Sequence, residues 1–275
     1  MHQKEKVLES LFLEKLGANF EVPKNIDTDI FGTFSGEIKR DRDIKNTLRK
    51  KVKLGLEKTG LKLGLASEGS FGAHPSAPFM KTNLETLLFV DLEREIEIFE
   101  FHSSFKCTFD YRTINNQEEL LEFYREYKSK EQAILIKVDQ NSSEPNFLRK
   151  GLTSEKEAIK AFEELKHFSQ SQSLWVETDM RAHLSKARQA VIFEAGEKLI
   201  KRLTSLCPDC HCPGFSRDAL EKGLPCKACG IPSQYASKEI WRCSRKNSGC
   251  SYEETRDRED GKKSIDPGDC SFCNP

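Results

Sequence analysis

The sequence predicts an α/β domain, a mixed sheet flanked by helices, followed by a small cysteine-rich C-terminal module. Three observations carry that expectation. Apolar stripes at helical spacing alternate with short apolar runs of strand length through residues 1–203. Two such runs, Leu87–Val90 and Ile96–Phe101, flank a polar turn at Glu93-Arg94 and read as a hairpin. Nine of the ten cysteines lie between Cys207 and Cys273, which sets residues 204–275 apart as a second domain.

In order, Val7, Leu8, Leu11, Phe12 and Leu16 form a first helical stripe that Gly17 stops. Ile44, Leu48, Val52 and Leu56 form a second, ending before Gly60. Leu61–Ala66 reads as a short buried strand that runs into a turn over Ser67–Gly72. After the hairpin come a helix over Gln117–Tyr127, a strand over Ala133–Val138 and a polar loop over Gln140–Pro145. A helix over Ser154–Phe168, a strand over Leu174–Val176 and a helix over Ser185–Leu203 complete the domain.

The 275 residues carry 44 basic and 44 acidic side chains, so no global charge draws the chain to nucleic acid or an anionic membrane. Apolar residues make up 37% and no run of eighteen occurs, which excludes an apolar membrane helix. Met1–Lys6 leads straight into a charged amphipathic stretch and does not resemble a signal peptide. Without an export signal, the cysteines point to metal rather than to disulfides, and to a cytoplasmic protein.

Cys207-Pro-Asp-Cys210 and Cys226-Lys-Ala-Cys229 each place two thiolates on one tight turn. Two such turns supply the four sulfurs of a tetrahedral zinc site, so the expected first site is Cys207, Cys210, Cys226 and Cys229. The expected second site joins Cys270 and Cys273 to the wider pair Cys243 and Cys250, giving a zinc ribbon with two structural zinc ions. His211 and Cys212 are left over, as a substitute ligand or a spare thiol. Cys107 stands alone and reads as a buried, inert cysteine. Residues 201–275 hold thirteen basic and eleven acidic side chains, and bound thiolates would turn the module net negative. Generic nucleic acid is therefore not an expected partner of the module.

Two polar constellations stand out in the larger domain. Ser67-Glu68-Gly69-Ser70-Phe71-Gly72-Ala73-His74 follows an apolar run and is either a ligand-binding turn or a tight polar loop. Glu177-Thr-Asp179-Met-Arg181-Ala-His183, with Arg188 beyond it, gathers carboxylates, an imidazole and guanidiniums able to hold a metal or clamp a phosphate. Capping of the next helix by Asp179 or Ser185 accounts for only part of that set. Lys150, after Arg149, is a further anion contact or a surface charge. Lys4 and Lys6 open the first helix, where positive charge opposes the helix dipole unless an anion sits nearby.

Phe31-Gly-Thr-Phe-Ser-Gly-Glu37, Ala66–Gly72 with His74-Pro75, Glu177–His183 and the closing Cys270–Pro275 together resemble an uncharacterised bacterial family, domain-of-unknown-function family 6671. The resemblance covers nearly the whole chain and brings no activity with it. Three places depart from the pattern. Members carry a short apolar strand before a Lys-His pair, where this sequence starts at His2; they carry Asn-Pro where it has Ser185-Lys186; and here Cys243 and Cys250 are widely spaced. A second resemblance links Arg49–Val52 and Leu63–Gly69 to a segment of inosine and xanthosine triphosphate pyrophosphatases. That likeness implies that Glu68 holds a magnesium ion on phosphates and that Arg181 or Arg188 binds the nucleotide.

The expected function is a metal-assisted phosphohydrolase or binder acting on a nucleotide-like anion. Glu68 and Asp179 would hold magnesium or manganese, Glu177 or His183 would serve as general base, and Arg181 with Arg188 would bind phosphate. Ser67, Ser70, His74 and Lys150 would complete the ligand shell. The alternative is a non-catalytic adaptor whose zinc ribbon docks a protein or RNA partner. The enzyme reading requires the two polar segments to end neighbouring parallel strands of one sheet, so that they meet at one edge.

Overall fold

The structure, a computed structural model, describes residues 3–24, 26, 28–32, 43–74, 77–245 and 249–275. Thr33–Glu37 of the family-like motif and Pro75 lie outside the described residues. Two compact units form: the first comprises Met1–Phe89 and Phe99–Leu199, the second Val90–Ile98 and Ile200–Pro275.

The first unit opens with α1 (Lys4–Leu16) and α2 (Ile44–Thr59). The Asp43 carboxylate accepts the backbone N–H groups of Lys45 and Asn46, starting α2, and Gly60 ends it in a left-handed conformation at φ 72°. Three long strands follow, β1 (Leu63–His74), β2 (Ala77–Asp91) and β3 (Ile96–Ser104), in the order β1-β2-β3. Then come β4 (Tyr111–Ile114), α3 (Gln117–Lys128), β5 (Ile134–Lys137), β6 (Leu148–Leu152), α4 (Glu155–Lys166), β7 (Leu174–Thr178) and α5 (Lys186–Leu203). A second sheet takes the order β4-β7-β5-β6.

Side-chain alternation assigns the faces of that sheet. Leu174 and Val176 of β7 join Ile134 and Ile136 of β5 in one core with Phe123 of α3 and Phe162 of α4. Trp175 and Glu177 therefore point to the opposite face. A full capping box fixes the start of α4, the Ser154 side chain on the Glu157 N–H and the Glu157 carboxylate on the Ser154 N–H.

Two expectations about the sheets are corrected. Among the described residues, all three sheets are antiparallel rather than mixed. The segment Ser67–Gly72 is not a turn: β1 runs through it as one extended strand of 12 residues. Pairing along the sheet overrides local turn chemistry here, and Gly69 is the reason it must. A side chain at Gly69 would collide with Nη2 of Arg188 and Oε1 of Glu85, so the glycine admits a close approach rather than a bend. Because β1 and β7 lie in different antiparallel sheets, the polar segments do not end neighbouring parallel strands.

α1 and α5 run side by side in the same direction. Lys4, at the start of α1, feels the charge of Arg188 in the first turn of α5, and Leu8 and Leu11 close over Gly196 two turns further on. The glycine lets the helices approach closely. Both positive helix ends therefore lie together.

In the second unit, β8 (Ser216–Lys222), β9 (Ala236–Arg242) and β10 (Glu253–Asp257) form an antiparallel meander in the order β10-β9-β8.

Candidate functional site

The eight cysteines of the second unit gather into two four-sulfur sets, but not the expected ones. Cys207 and Cys210 share a set with Cys243 and Cys250, and Cys226 and Cys229 share one with Cys270 and Cys273. The meander explains the correction. The turn before β8 and the turn after β9 fall at one end of the sheet; the turn after β8 and the segment after β10 fall at the other. First and third pairs therefore meet, as do second and fourth. Facing sulfurs stand 3.5 Å apart for Cys210 and Cys243 and 3.8 Å for Cys207 and Cys250. In the other set the separations are 3.9 Å for Cys226 and Cys273 and 3.8 Å for Cys229 and Cys270. A tetrahedron built on ~2.3 Å zinc–sulfur bonds has edges of about 3.8 Å, so the donor set and spacing fit zinc.

Each knuckle is braced by its backbone. His211 donates its N–H to the Cys207 carbonyl and Gly230 to that of Cys226, both from left-handed conformations at φ 56° and 71°. Backbone N–H groups of Cys229 and Ala228 hold the Cys226 thiol down at about 7, which favours the thiolate that a metal needs. Cys212 is buried beside the first set and accepts the Cys207 N–H through its carbonyl, but stands outside the four. Burial raises the Cys107 thiol, in keeping with an inert role.

The first unit holds a buried network of charges drawn from five elements. Arg188 of α5 is fully buried; its Nε donates to Glu85 Oε1 of β2 at 2.7 Å, and its Nη1 donates to the Met180 carbonyl. The guanidinium lies 5.1 Å from the Phe71 ring centroid. Lys4 Nζ of α1 stands 3.4 Å from Glu85 Oε2, and Lys51 Nζ of α2 stands 2.5 Å from Glu68 Oε2 of β1. Burial raises the Glu85 pKa, but Arg188 and Lys4 outweigh it and leave the carboxyl below its ordinary range. Lys4 is pushed down to about 8, first by burial, with Arg188 and Lys51 working against Glu85 and Glu68. Glu68 and Arg188, both singled out from sequence, thus belong to one network. Glu85 and Lys51 were not singled out as site residues; an acid inside the apolar run Leu84–Leu88 was the available signal for Glu85.

The Glu177–His183 segment is built differently. Asp179 is buried and held by Arg181, whose Nη2 approaches Oδ2 at 2.6 Å, and by the Gly151 N–H at 3.0 Å. Glu177 pairs with Lys137 at 3.0 Å and accepts the Trp175 indole N–H at 2.9 Å. Ser67, Ser70 and His74 sit half-buried along β1, and Lys150 is exposed on β6. His74 packs its ring 5.3 Å from that of Phe105. Among the described residues, only the two cysteine sets meet metal-ligand geometry; Glu68, Glu177 and Asp179 do not join in such a cluster.

His183 instead lines an open cleft of ≈ 530 Å³ at the paired helix starts. Gln3 and Lys6 of the α1 end and Lys186, Gln189 and Phe193 of α5 complete its wall. No side chain caps the N-terminus of α1, where Gln3 is left-handed at φ 54°.

The model of a domain of unknown function, DUF6671, matches residues 51–275, and the chain belongs to that family. No curated protein and no solved structure matches it. No helix among the described residues is long and apolar enough to cross a membrane.

Elemental analysis of the purified protein should give two zinc ions per chain, and paired substitutions should read out the interleaving. Cys207→Ser with Cys243→Ser should leave one zinc, whereas Cys207→Ser with Cys226→Ser should leave none. The reverse pattern would restore the sequential pairing.

Lys4 should also leave a pH signature. Below pH 8 both folded and unfolded chains hold its proton and the cost of burying the charge is fully present. Between pH 8 and the ordinary 10.5 the unfolded chain binds more protons, so stability rises with pH, and above 10.5 the cost is gone. The unfolding free energy of wild type relative to Lys4→Met should rise across this window by at most about 3 kcal/mol. A flat difference in urea titrations would show that Lys4 is not desolvated.

Proposed function

We propose that this DUF6671 member binds a small phosphorylated, nucleotide-like anion in the cleft at the starts of α1 and α5. The observation that carries the reading is the parallel pairing of two helices whose first turns are both net cationic, Lys4 and Lys6 against Glu5 in α1 and Lys186 with Arg188 in α5. Aligned helix dipoles repel at their shared positive end, and Lys6 and Lys186 beside His183 add to that potential. Lys4 and Arg188 stand in the same first turns on the inward side. Glu85 already meets Lys4 and Arg188, so an anion in the cleft relieves the two helix ends, Lys6 and Lys186, and first-turn backbone N–H groups suit phosphate oxygens.

A metal-assisted hydrolase asks more of the site. It needs Glu68 and Asp179 to share a divalent cation, and each is already ion-paired to a lysine or arginine of its own. The arrangement therefore favours binding over metal-assisted hydrolysis.

Calorimetry with nucleoside triphosphates, pyrophosphate and sugar phosphates tests the reading, with phosphate release followed in parallel. Binding of at least one of these compounds is expected, and Lys6→Ala with Lys186→Ala should weaken it about tenfold or more, as loss of charge-assisted contacts implies. Absence of binding, or a double variant that binds like wild type, would remove the cleft as the site.

A further inference from the structure

Whole-chain neutrality conceals one strongly charged element. α2 carries six basic side chains, Lys45, Arg49, Lys50, Lys51, Lys53 and Lys58, against the single carboxylate of Glu57. Lys51 turns inward to Glu68; Lys45, Arg49, Lys50 and Lys53 are exposed. Two of the exposed cations sit over aromatic rings of β3. Lys45 Nζ lies 5.3 Å from the centroid of Phe99 and 5.7 Å from that of Phe101, and the Arg49 guanidinium lies 5.1 Å from Phe99.

The two phenylalanines are two residues apart on one face of the edge strand; Phe99 is half-buried and Phe101 remains 42% exposed. Their rings are nearly parallel, at 17°, with centroids 6.5 Å apart. That separation is close to two stacking repeats of a nucleic-acid strand, roughly 3.4 Å each. Cation–π contact accounts for the placement of Lys45 and Arg49. The two-residue repeat of a strand, about 6.6 Å, sets the spacing; neither accounts for an exposed Phe101 beside half-buried Phe99 and a helix of such one-sided charge.

We propose that the α2–β3 face of the first unit binds an unpaired nucleic-acid strand, one base entering between Phe99 and Phe101 while neighbouring phosphates meet Lys45, Arg49, Lys50 and Lys53. Charge complementarity selects a polyanion, and the ring pair selects one whose bases are free to leave their stack. A duplex offers the same phosphates but keeps its bases paired, so it is the inferior ligand. The face is separate in residues from the cleft at α1 and α5, and the two readings stand or fall independently.

Fluorescence anisotropy with a labelled twelve-nucleotide oligo-uridylate, its duplex and an abasic strand of equal length tests the proposal on the full chain. The single strand should bind more tightly than either control, and affinity should fall as salt rises from about 50 to 200 mM. Phe101→Leu keeps an apolar side chain but removes the ring; it should weaken binding about tenfold without altering the salt slope, and Phe101→Trp should restore it. Lys45→Gln should weaken binding and make the slope shallower by about 0.7. Lys6→Ala with Lys186→Ala should leave strand binding unchanged. Equal affinity for the abasic strand, no effect of Phe101→Leu, or no binding to the single strand would overturn the proposal.

Discussion

The fully buried pair of Arg188 and Glu85 constrains the first unit more than any other interaction. Leaving either charge uncompensated in the interior costs several kcal/mol, so both must find partners with good geometry. Arg188 meets a carboxylate, a carbonyl and the face of Phe71, and Glu85 meets a guanidinium and an ammonium. Those contacts tie together α5, β2, β1, α1 and the segment after β7. They also dictate Gly69, because a side chain there would occupy the space of the pair. With Lys4 drawn to Glu85 and Gly196 under Leu8 and Leu11, α1 must lie parallel to α5. The cationic cleft is a consequence of that alignment.

Local patterns in the sequence were informative wherever structure is decided locally. The stripes of α1 and α2, the helix beginning at Ser154 and the hairpin turn near Glu93-Arg94 all formed as expected. Ser67–Gly72 misled because its glycines and hydroxyls match turn chemistry, while the use of Gly69 is steric and depends on Arg188, more than a hundred residues away in sequence. β4 and β6 were missed because neither holds an apolar run: Tyr111–Ile114 buries only Ile114, and Leu148–Leu152 carries Arg149, Lys150 and Gly151 between its two leucines. The zinc pairing failed for a related reason. Spacing identifies which cysteines sit on turns, but only the strand meander decides which turns share an end of the sheet.

For the candidate site, Glu68, Arg188 and His183 were legible as charged groups in unusual settings, and their grouping was not. Asp179, Arg181 and Glu177 looked equally functional, yet each satisfies a partner within a neighbouring strand or loop. Charge patterning shows the same limit. The balance of 44 basic and 44 acidic residues is uninformative about α2, whose cations project from one helix beside two phenylalanines.

Arg188 and Glu85 act as one unit, and a double-mutant cycle measures their coupling. Unfolding free energies by urea would be measured for wild type, Arg188→Met, Glu85→Gln and the double variant. Each single change should cost about 3–5 kcal/mol, because it strands the other charge. The double variant should cost less than their sum by about 1 kcal/mol or more, on the order seen for coupled buried groups. Additive losses would contradict the account, since they would mean that each side chain is held by other contacts and that neither depends on its partner.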